Sequence, residues 1–298
     1  MKIMLSILIP TYNYDCTRLV ADLQQQADQT GIEYEIIVAD DASPRQEYQE
    51  RVREINKWPH CRLIELEKNI GRARIRNRLA DEARHEWLLF MDADAEVISK
   101  QFIANYLIHT DVDVVCGGLC HADILPSPEV SLRYAYEKRA DKKRAARYRQ
   151  QRPYEQFTPF NFMIRRTTFQ SIRFDERITE YGHEDTLFGI ELSKKGANIR
   201  HIDNPLLHVG LESNERFLEK TRAALRNLST MKNVMLGHSA LLSAYNILRR
   251  LGITPLIAKW FARKEQSLSS RLTSTNIAAP LHLFFLYKLG YYCSLNKD

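Results

Sequence analysis

The chain has 298 residues, 44% of them hydrophobic and 27% charged, which suits one large α/β domain or two smaller ones and excludes a disordered chain. Eleven glycines and ten prolines exclude a collagenous or low-complexity sequence. Lys and Arg number 43 against 37 Asp and Glu, a formal charge of +6, which fits an anionic partner such as a nucleotide, a nucleic acid or a phospholipid surface without choosing among them. The five cysteines, Cys16, Cys61, Cys116, Cys120 and Cys293, are odd in number and form no Cys-x-x-Cys pair. That argues against a disulfide framework or a structural zinc knot and makes the cytosol the expected compartment.

The start, Met1 to Pro10, resembles a signal peptide only superficially. Its apolar run is short, meets Pro10-Thr11-Tyr12-Asn13 at once and lacks a small-residue cleavage site, so Ile3 to Ile9 reads as a buried first strand. A helix follows, with Leu19, Val20, Leu23 and Ala27 on one face, then a second strand from Tyr34 to Ala39 ending in Asp40-Asp41. Gln46 to Asn56 reads as helix, Arg62 to Leu66 as strand, Arg72 to Ala83 as helix and Trp87 to Met91 as strand. This alternation predicts a doubly wound, mainly parallel sheet, whose ligands bind at the carboxyl ends of the strands.

Further strands are expected at Val112 to Cys116, Phe160 to Ile164 and Asn198 to Ile202, with a helix from Thr186 to Lys195 closed by Gly196 and a turn at Asn204-Pro205. Between them, Arg133 to Arg152 holds nine basic residues and two acidic ones, a local charge of +7. Beyond Ser213 the pattern turns helical, ending in an apolar stretch from Ile277 to Leu295 broken by Pro280, His282, Lys288 and Gly290. Nothing before that stretch approaches the ~20 apolar residues that span a bilayer.

The strand ends carry the chemistry. Asp92-Ala93-Asp94 follows its strand, and an extended Asp-x-Asp turn can bring two carboxylates to one hard cation; solvated helix-capping acids are the alternative. Asp111-Val112-Asp113 has the same form but precedes its strand, which places it at the opposite edge of the sheet. Tyr12 and the Asp40-Asp41 pair suit turn and cap chemistry on their own. Joined to the Asp-x-Asp, they offer an aromatic face for a base, an acceptor for its N–H and a metal for its phosphates. Arg72, Arg74 and Arg76 open a helix, where cations oppose the helix dipole unless an anion is present; Arg72 and Arg76 are expected to share a face that can meet a diphosphate. Gly182-His183-Glu184-Asp185 puts an acid pair ahead of a helix, either as ordinary N-terminal acids or as a general base. His208 reads as a core histidine or a metal ligand.

Ile7-Leu8-Ile9-Pro10-Thr11-Tyr12-Asn13, Val38-Ala39-Asp40-Asp41-Ala42-Ser43, Asn69-Ile70-Gly71 through Arg76-Asn77, and Phe90-Met91-Asp92-Ala93-Asp94, in that order, resemble family 2 glycosyltransferases of the GT-A fold. Tyr181-Gly182-His183-Glu184-Asp185 looks like the Gly-x-Glu-Asp motif of members related to chondroitin polymerases and galactosyltransferases, with Tyr181 where an aromatic, often Trp, precedes the Gly. The resemblance implies a Rossmann-like, mainly parallel sheet flanked by helices. It implies a catalytic domain over residues 1–212, with a nucleotide-sugar half over about 1–118 and an acceptor half over about 119–212, and a helical extension over 213–298. By the same resemblance, Pro10, Thr11 and Tyr12 flank the donor base, Asp41 accepts its ring N–H with Asp40 nearby, and Arg72 or Arg76 lies toward the diphosphate. Asp94, with Asp92 and Ala93 beside it, holds manganese or magnesium, and His208 completes the metal shell. Glu184 and Gly182 bind the acceptor and Asp185 is the base.

The expected activity is an inverting, metal-dependent transfer from a nucleotide-diphosphate donor, a UDP-sugar, to a hydroxyl of a glycan or lipid-linked acceptor in surface-polysaccharide biosynthesis. One alternative is a nucleotidyltransferase of similar fold, which carries a Gly-rich loop after the first strand where Pro10-Thr11-Tyr12-Asn13 stands here. The other is a nucleic-acid-binding protein using the basic 133–152 arm, although no base-reading module accompanies it, so no nucleic-acid partner is expected. The tail from Met231, aromatic and basic, is read either as a peripheral contact with an anionic membrane or as a helical cap or homodimer contact.

Overall fold

The computed structural model describes residues 3–178, 181–276 and 280–296. Met1 and Lys2 of the N-terminal reading, and residues 277–279 of the expected apolar stretch, lie outside the described residues. In chain order the strands are β1 (Met4–Thr11), β2 (Glu33–Asp40), β3 (Cys61–Glu65), β4 (Trp87–Met91), β5 (Ala95–Glu96), β6 (Val114–Cys116), β7 (Leu119–Cys120), β8 (Asn161–Arg165), β9 (Ile199–His201) and β10 (Leu206–His208). The helices are α1 (Thr17–Thr30), α2 (Gln46–Arg53), α3 (Arg72–Glu82), α4 (Phe102–Leu107), α5 (Ser131–Lys138), α6 (Ala146–Arg149), α7 (Arg166–Ile172), α8 (Glu184–Lys194), α9 (Asn214–Thr230), α10 (Ala240–Arg250), α11 (Thr254–Thr273) and α12 (Leu281–Leu295). They fall into two compact units: Met1–His121, Asp141–Thr179 and Glu184–Gly210 form the first, and Ala122–Ala140, Glu180–His183 and Leu211–Asp298 the second.

The first unit is built on a seven-stranded sheet of order β3-β2-β1-β4-β8-β6-β9. Strand β1 explains why its sequence reads as one aliphatic run. Leu5, Ile7 and Ile9 enter a core shared with Leu19, Val20 and Leu23 of α1, while Leu8 enters a second core with Ala73, Ile75 and Leu79 of α3. Both faces are covered, as a parallel strand requires. Helix α1 buries Leu19, Val20, Leu23 and Ala27 as the spacing predicts, and ends at Gly31 with φ 65°, a left-handed cap that glycine adopts without strain.

The pairing of β1 with β2 and β4, of β2 with β3 and of β6 with β9 is parallel, whereas β8 runs antiparallel to both β4 and β6. Thr11 of β1 stands opposite Asp40 of β2. Because β8 is reversed, its first residue, Asn161, pairs with Met91, the last residue of β4. Residues from both strand directions therefore reach one rim. A smaller sheet of order β5-β10-β7 follows β4 directly. In it His208 pairs with Ala95, and Leu207 with Cys120.

Part of the basic 133–152 stretch folds into the first unit's core. Arg149 is only 5% exposed, and its guanidinium donates to the carbonyls of Cys116, Gly117, Ile202 and Arg144 at 2.6–3.2 Å. This clamps the β6–β7 connection, where a Cβ on Gly117 would overlap Asn161 and Tyr106. The duplicate Asp111-Val112-Asp113 is structural as well: Asp111 accepts both Arg200 Nη atoms at 2.8 Å, and Asp113 accepts the Asn198 N–H at 2.8 Å.

The second unit is helical among its described residues. Leu132 of α5, Phe217 and Leu218 of α9, Phe261, Leu268 and Leu272 of α11, and Phe284 and Tyr287 of α12 form its core. Asn214, fully buried, accepts the Leu132 N–H at 2.8 Å and so ties α9 to α5. No helix among the described residues is long and apolar enough to cross a membrane. Gly290 lets α12 approach α11, since a Cβ there would sit 2.5 Å from Cδ2 of Phe261. Gly290→Ala should therefore overpack this core and cost about 1–3 kcal/mol, measured as a lower melting temperature by circular dichroism, with Phe261→Leu in the same chain recovering part of the loss.

Candidate active site

The rim of the first unit begins with the loops after β1 and β2. Thr11 is 4% exposed and its hydroxyl donates to the Tyr14 carbonyl at 2.9 Å, while Tyr12 beside it is 49% exposed and presents its ring to solvent. Pro10 is partly buried and pairs with Ala39 in the sheet. Asp40 accepts the Ser43 hydroxyl and, at 3.2 Å, the Ser43 N–H; Ser43 Oγ in turn accepts the Asn13 N–H at 2.7 Å. Asp41 donates its N–H to the Thr11 carbonyl at 2.9 Å, and its carboxylate accepts the N–H groups of Ile70 at 2.7 Å and Gly71 at 3.0 Å. Burial pushes the Asp41 carboxyl up, and these two N–H groups work against that. The two carboxylates thus lock three loops together ahead of α3.

After β4 the chain places Asp92, Ala93 and Asp94 in succession. Ala93 is buried, and Asp92 donates its N–H to the Phe160 carbonyl at 3.1 Å, so the reversed β8 fixes its place. Asp94 is brought to His208 by the β5–β10 pairing, with His208 Nε2 at 3.3 Å from Asp94 Oδ2. The N–H of Val209 reaches the Asp94 carbonyl at 3.0 Å. Burial works to raise the Asp94 carboxyl, but the hydrogen bond from His208, the charge of His208 when protonated and the charge of Arg72 together hold it below the ordinary range. A carboxylate oxygen and an imidazole nitrogen at this separation suit one divalent cation, whose neighbouring ligands lie about 3 Å apart when bonds are ~2.1 Å.

The two arginines expected to share a face have different fates. Arg72 is exposed, whereas Arg76 is 2% exposed. Arg76 Nη2 lies 2.6 Å from Asp92 Oδ1, and Nη1 lies 3.8 Å from Glu184 Oε1. Its Nε and Nη1 are buried and make no hydrogen bond. Arg74 is exposed and faces Glu176 at 3.8 Å.

Glu184 and Asp185 open α8. The Asp185 carboxylate accepts the Thr186 N–H at 2.6 Å and the Thr186 hydroxyl at 3.2 Å. Burial first, and the neighbouring Glu184 charge second, push the Asp185 carboxyl up to about 6 against the pull of Thr186 and Arg76. Gly182 belongs to the second unit, with φ 101°, and a Cβ there would come within 2.8 Å of the Ala224 side chain. His183, also at positive φ, has Nε2 3.1 Å from the Ala224 carbonyl.

Two features of the rim escape sequence reasoning. The Asp92–Arg76–Glu184 chain joins residues over a hundred positions apart, which no local pattern reveals. His121, 6% exposed, follows the two-residue β7, too short to read as a strand; its ring centroid lies 6.0 Å from that of His208, and its Nδ1 lies 2.9 Å from Asp141 Oδ1.

The sequence profile of Glycosyl transferase family 2 matches residues 6–173, more than half of the chain. The chain belongs to that family. An uncharacterized glycosyltransferase of Haemophilus influenzae is 35% identical over 91 residues, which is 30% of this chain and 29% of the relative's own length. Among solved structures, a mannosyltransferase from Pyrobaculum calidifontis, PcManGT in complex with GDP-Man and Mn2+, superimposes with a TM-score of 0.55 at 15% identity, covering 97% of this chain and 86% of that one. S. aureus TarS 1–349 in complex with UDP gives 0.52 at 20% identity, covering 99% and 90%. Against a longer TarS chain, this chain covers 40% of the length. At these identities the likeness is one of fold, the GT-A arrangement of family 2.

In this glycosyltransferase fold Gly210 is the residue that leaves room for Asp94, since a Cβ at Gly210 would overlap the Asp94 side chain. Gly210→Ala should displace that carboxylate, and the affinity of an Asp94–His208 site for Mn2+, measured by titration calorimetry, should then fall about 10-fold or more. Asp185 yields a stability test. Its folded pKa, about 6, lies above its unfolded value of 3.8, so the stability its burial leaves to the protonated form is lost as pH rises through about 6 and stays lost above it. Asp185→Asn should accordingly raise the melting temperature at pH 8, and that advantage should vanish as pH falls toward 4.

Proposed function

We propose that this family 2 enzyme transfers a sugar, with inversion, from a nucleotide-diphosphate donor, a UDP-sugar, to a hydroxyl of a glycan or lipid-linked glycan acceptor in surface-polysaccharide biosynthesis. The observation that carries the reading is the Asp94–His208 pair, set at the end of β4 by the β5–β10 register and 3.3 Å apart. Two neighbours of the same fold add support, one in complex with GDP-Man and Mn2+ and one with UDP.

Asp94 and His208 would hold manganese or magnesium, which as a Lewis acid neutralises charge developing on a departing diphosphate. Arg72, exposed and acting electrostatically on Asp94, is the cation suited to the diphosphate. Tyr12 and Thr11 flank the base, with Pro10 behind them. Asp41 accepts the ring N–H beside Asp40, both carboxylates being held in place by the chain's own donors. Asp92 and Ala93 line the donor side, and Glu184 binds the acceptor sugar. Arg76 holds Asp92 at 2.6 Å and faces Glu184 at 3.8 Å, so its charge bears on both sides of the site.

Asp185 takes the acceptor's proton as the hydroxyl attacks the anomeric carbon and the bond to the diphosphate breaks. A carboxyl raised to about 6 is a stronger base than an ordinary carboxylate and is still mostly ionised above neutrality. The rate should therefore fall as pH drops through about 6.

Incubation with a panel of nucleotide sugars and Mn2+ tests the reading through release of nucleoside diphosphate; pyrophosphate release instead would favour a nucleotidyltransferase. Asp185→Asn should keep donor binding and lose turnover by roughly 10²–10⁴-fold, and Asp94→Asn should lose metal-dependent donor binding. Undiminished transfer by Asp185→Asn removes the base assignment.

A further inference from the structure

The second unit carries a surface that its own core does not explain. At the end of α10, Ile247 and Leu251 are 60% and 67% exposed; after the turn at Gly252, φ 70°, Leu256 and Trp260 of α11 are 66% and 37% exposed. The pairs are each four residues apart, so each lies along one side of its helix, and only a short turn separates them. The inward side of α11 is satisfied separately, with Thr254, Ala258 and Phe261 buried. Isolated exposed apolar side chains are ordinary; four large ones at one helix corner are a patch.

Charge surrounds this patch. From Met231 to Lys264 the chain has six Lys and Arg residues, Lys232, Arg249, Arg250, Lys259, Arg263 and Lys264, and no Asp or Glu. Lys259 and Arg263 share the exposed side of α11 with Leu256 and Trp260, at three, four and seven residues from Leu256. Among the described residues, no ion pair engages Arg250, Lys259, Arg263 or Lys264. A second copy of this chain meeting the patch across a two-fold axis would set these cations against themselves, and the nearest acid in the chain, Glu265, already faces Arg222 at 3.6 Å. An anionic lipid surface offers what the patch lacks: hydrocarbon for the leucines, an interfacial zone for the indole and phosphates for the Lys and Arg heads.

We propose that the α10–α11 corner is a peripheral membrane-docking tip, inserting Leu251, Leu256 and Trp260 at the level of the headgroups while Arg250, Lys259 and Arg263 engage anionic lipid. The absence of a membrane-crossing helix among the described residues fits attachment without spanning. This inference stands apart from the transfer chemistry proposed above, because it rests on a surface of the second unit alone.

The test is co-flotation of the full chain with phosphatidylcholine vesicles, with and without phosphatidylglycerol, in the absence of any sugar donor. The protein should float with the anionic vesicles and not with the neutral ones, and should come off as salt rises. Leu251→Ser with Leu256→Ser and Trp260→Ser should cut binding about 10-fold or more with unchanged circular dichroism, and Lys259→Glu with Arg263→Glu should abolish it. Wild-type protein that ignores anionic vesicles overturns the proposal, as does a triple variant that floats like wild type. So does a wild-type dimer in light scattering that the triple variant converts to monomer. Since no turnover is measured, any of these failures leaves the glycosyl-transfer reading untouched.

Discussion

A single guanidinium organises the rim of the first unit. Arg76, almost wholly enclosed, touches Asp92 at the end of β4 and faces Glu184 at the start of α8. Enclosing charge is costly unless it is paired, and here one cation serves two carboxylates; truncation of Arg76 would leave both acids without their partner. The contact with Asp92 is a close hydrogen bond, whereas Glu184 lies beyond hydrogen-bond reach and leaves Nη1 unsatisfied. The arrangement therefore holds Asp92 firmly and gives Glu184 room to shift.

Strand order does the rest of the positioning. The reversed β8 delivers Phe160 to Asp92, and the two-residue β5 delivers Ala95 to His208, which sets Asp94 beside an imidazole more than a hundred residues away. Arg149 then fastens the β6–β7 link that precedes His121. Each of these contacts is made by backbone or buried groups, so the rim is rigid where the carboxylates stand and open only around exposed side chains such as Tyr12 and Arg72.

Much of the first unit was legible because burial on both faces leaves an unmistakable aliphatic run, as in β1 and β2, and because one-sided burial leaves a helical period, as in α1. The direction of β8 was not legible: a strand buried on both faces carries the same residues whichever way it runs. Strands β5, β7 and β10 are too short for any period to show. Arg149 was hidden in a run of solvated charges, since composition does not tell a buried arginine from its neighbours. The acids and His208 were legible as candidates from strand ends and spacing, but their pairing depends on register, which spacing does not encode. Arg72 and Arg76 show the limit most clearly, alike in sequence and one helical turn apart, yet one is exposed and the other is buried against Asp92.

Asp41 takes up backbone donors that a helix start otherwise offers to an anion. In many nucleotide-binding folds the free N–H groups at a helix start cradle the phosphate directly. Here Ile70 and Gly71, immediately ahead of α3, already give theirs to an internal carboxylate. The positive end of α3 is thus partly discharged by the protein itself. An anion placed beside it would find fewer unused backbone donors than at a fully open helix start and would lean more on side chains and dissolved ions, whose help falls with ionic strength.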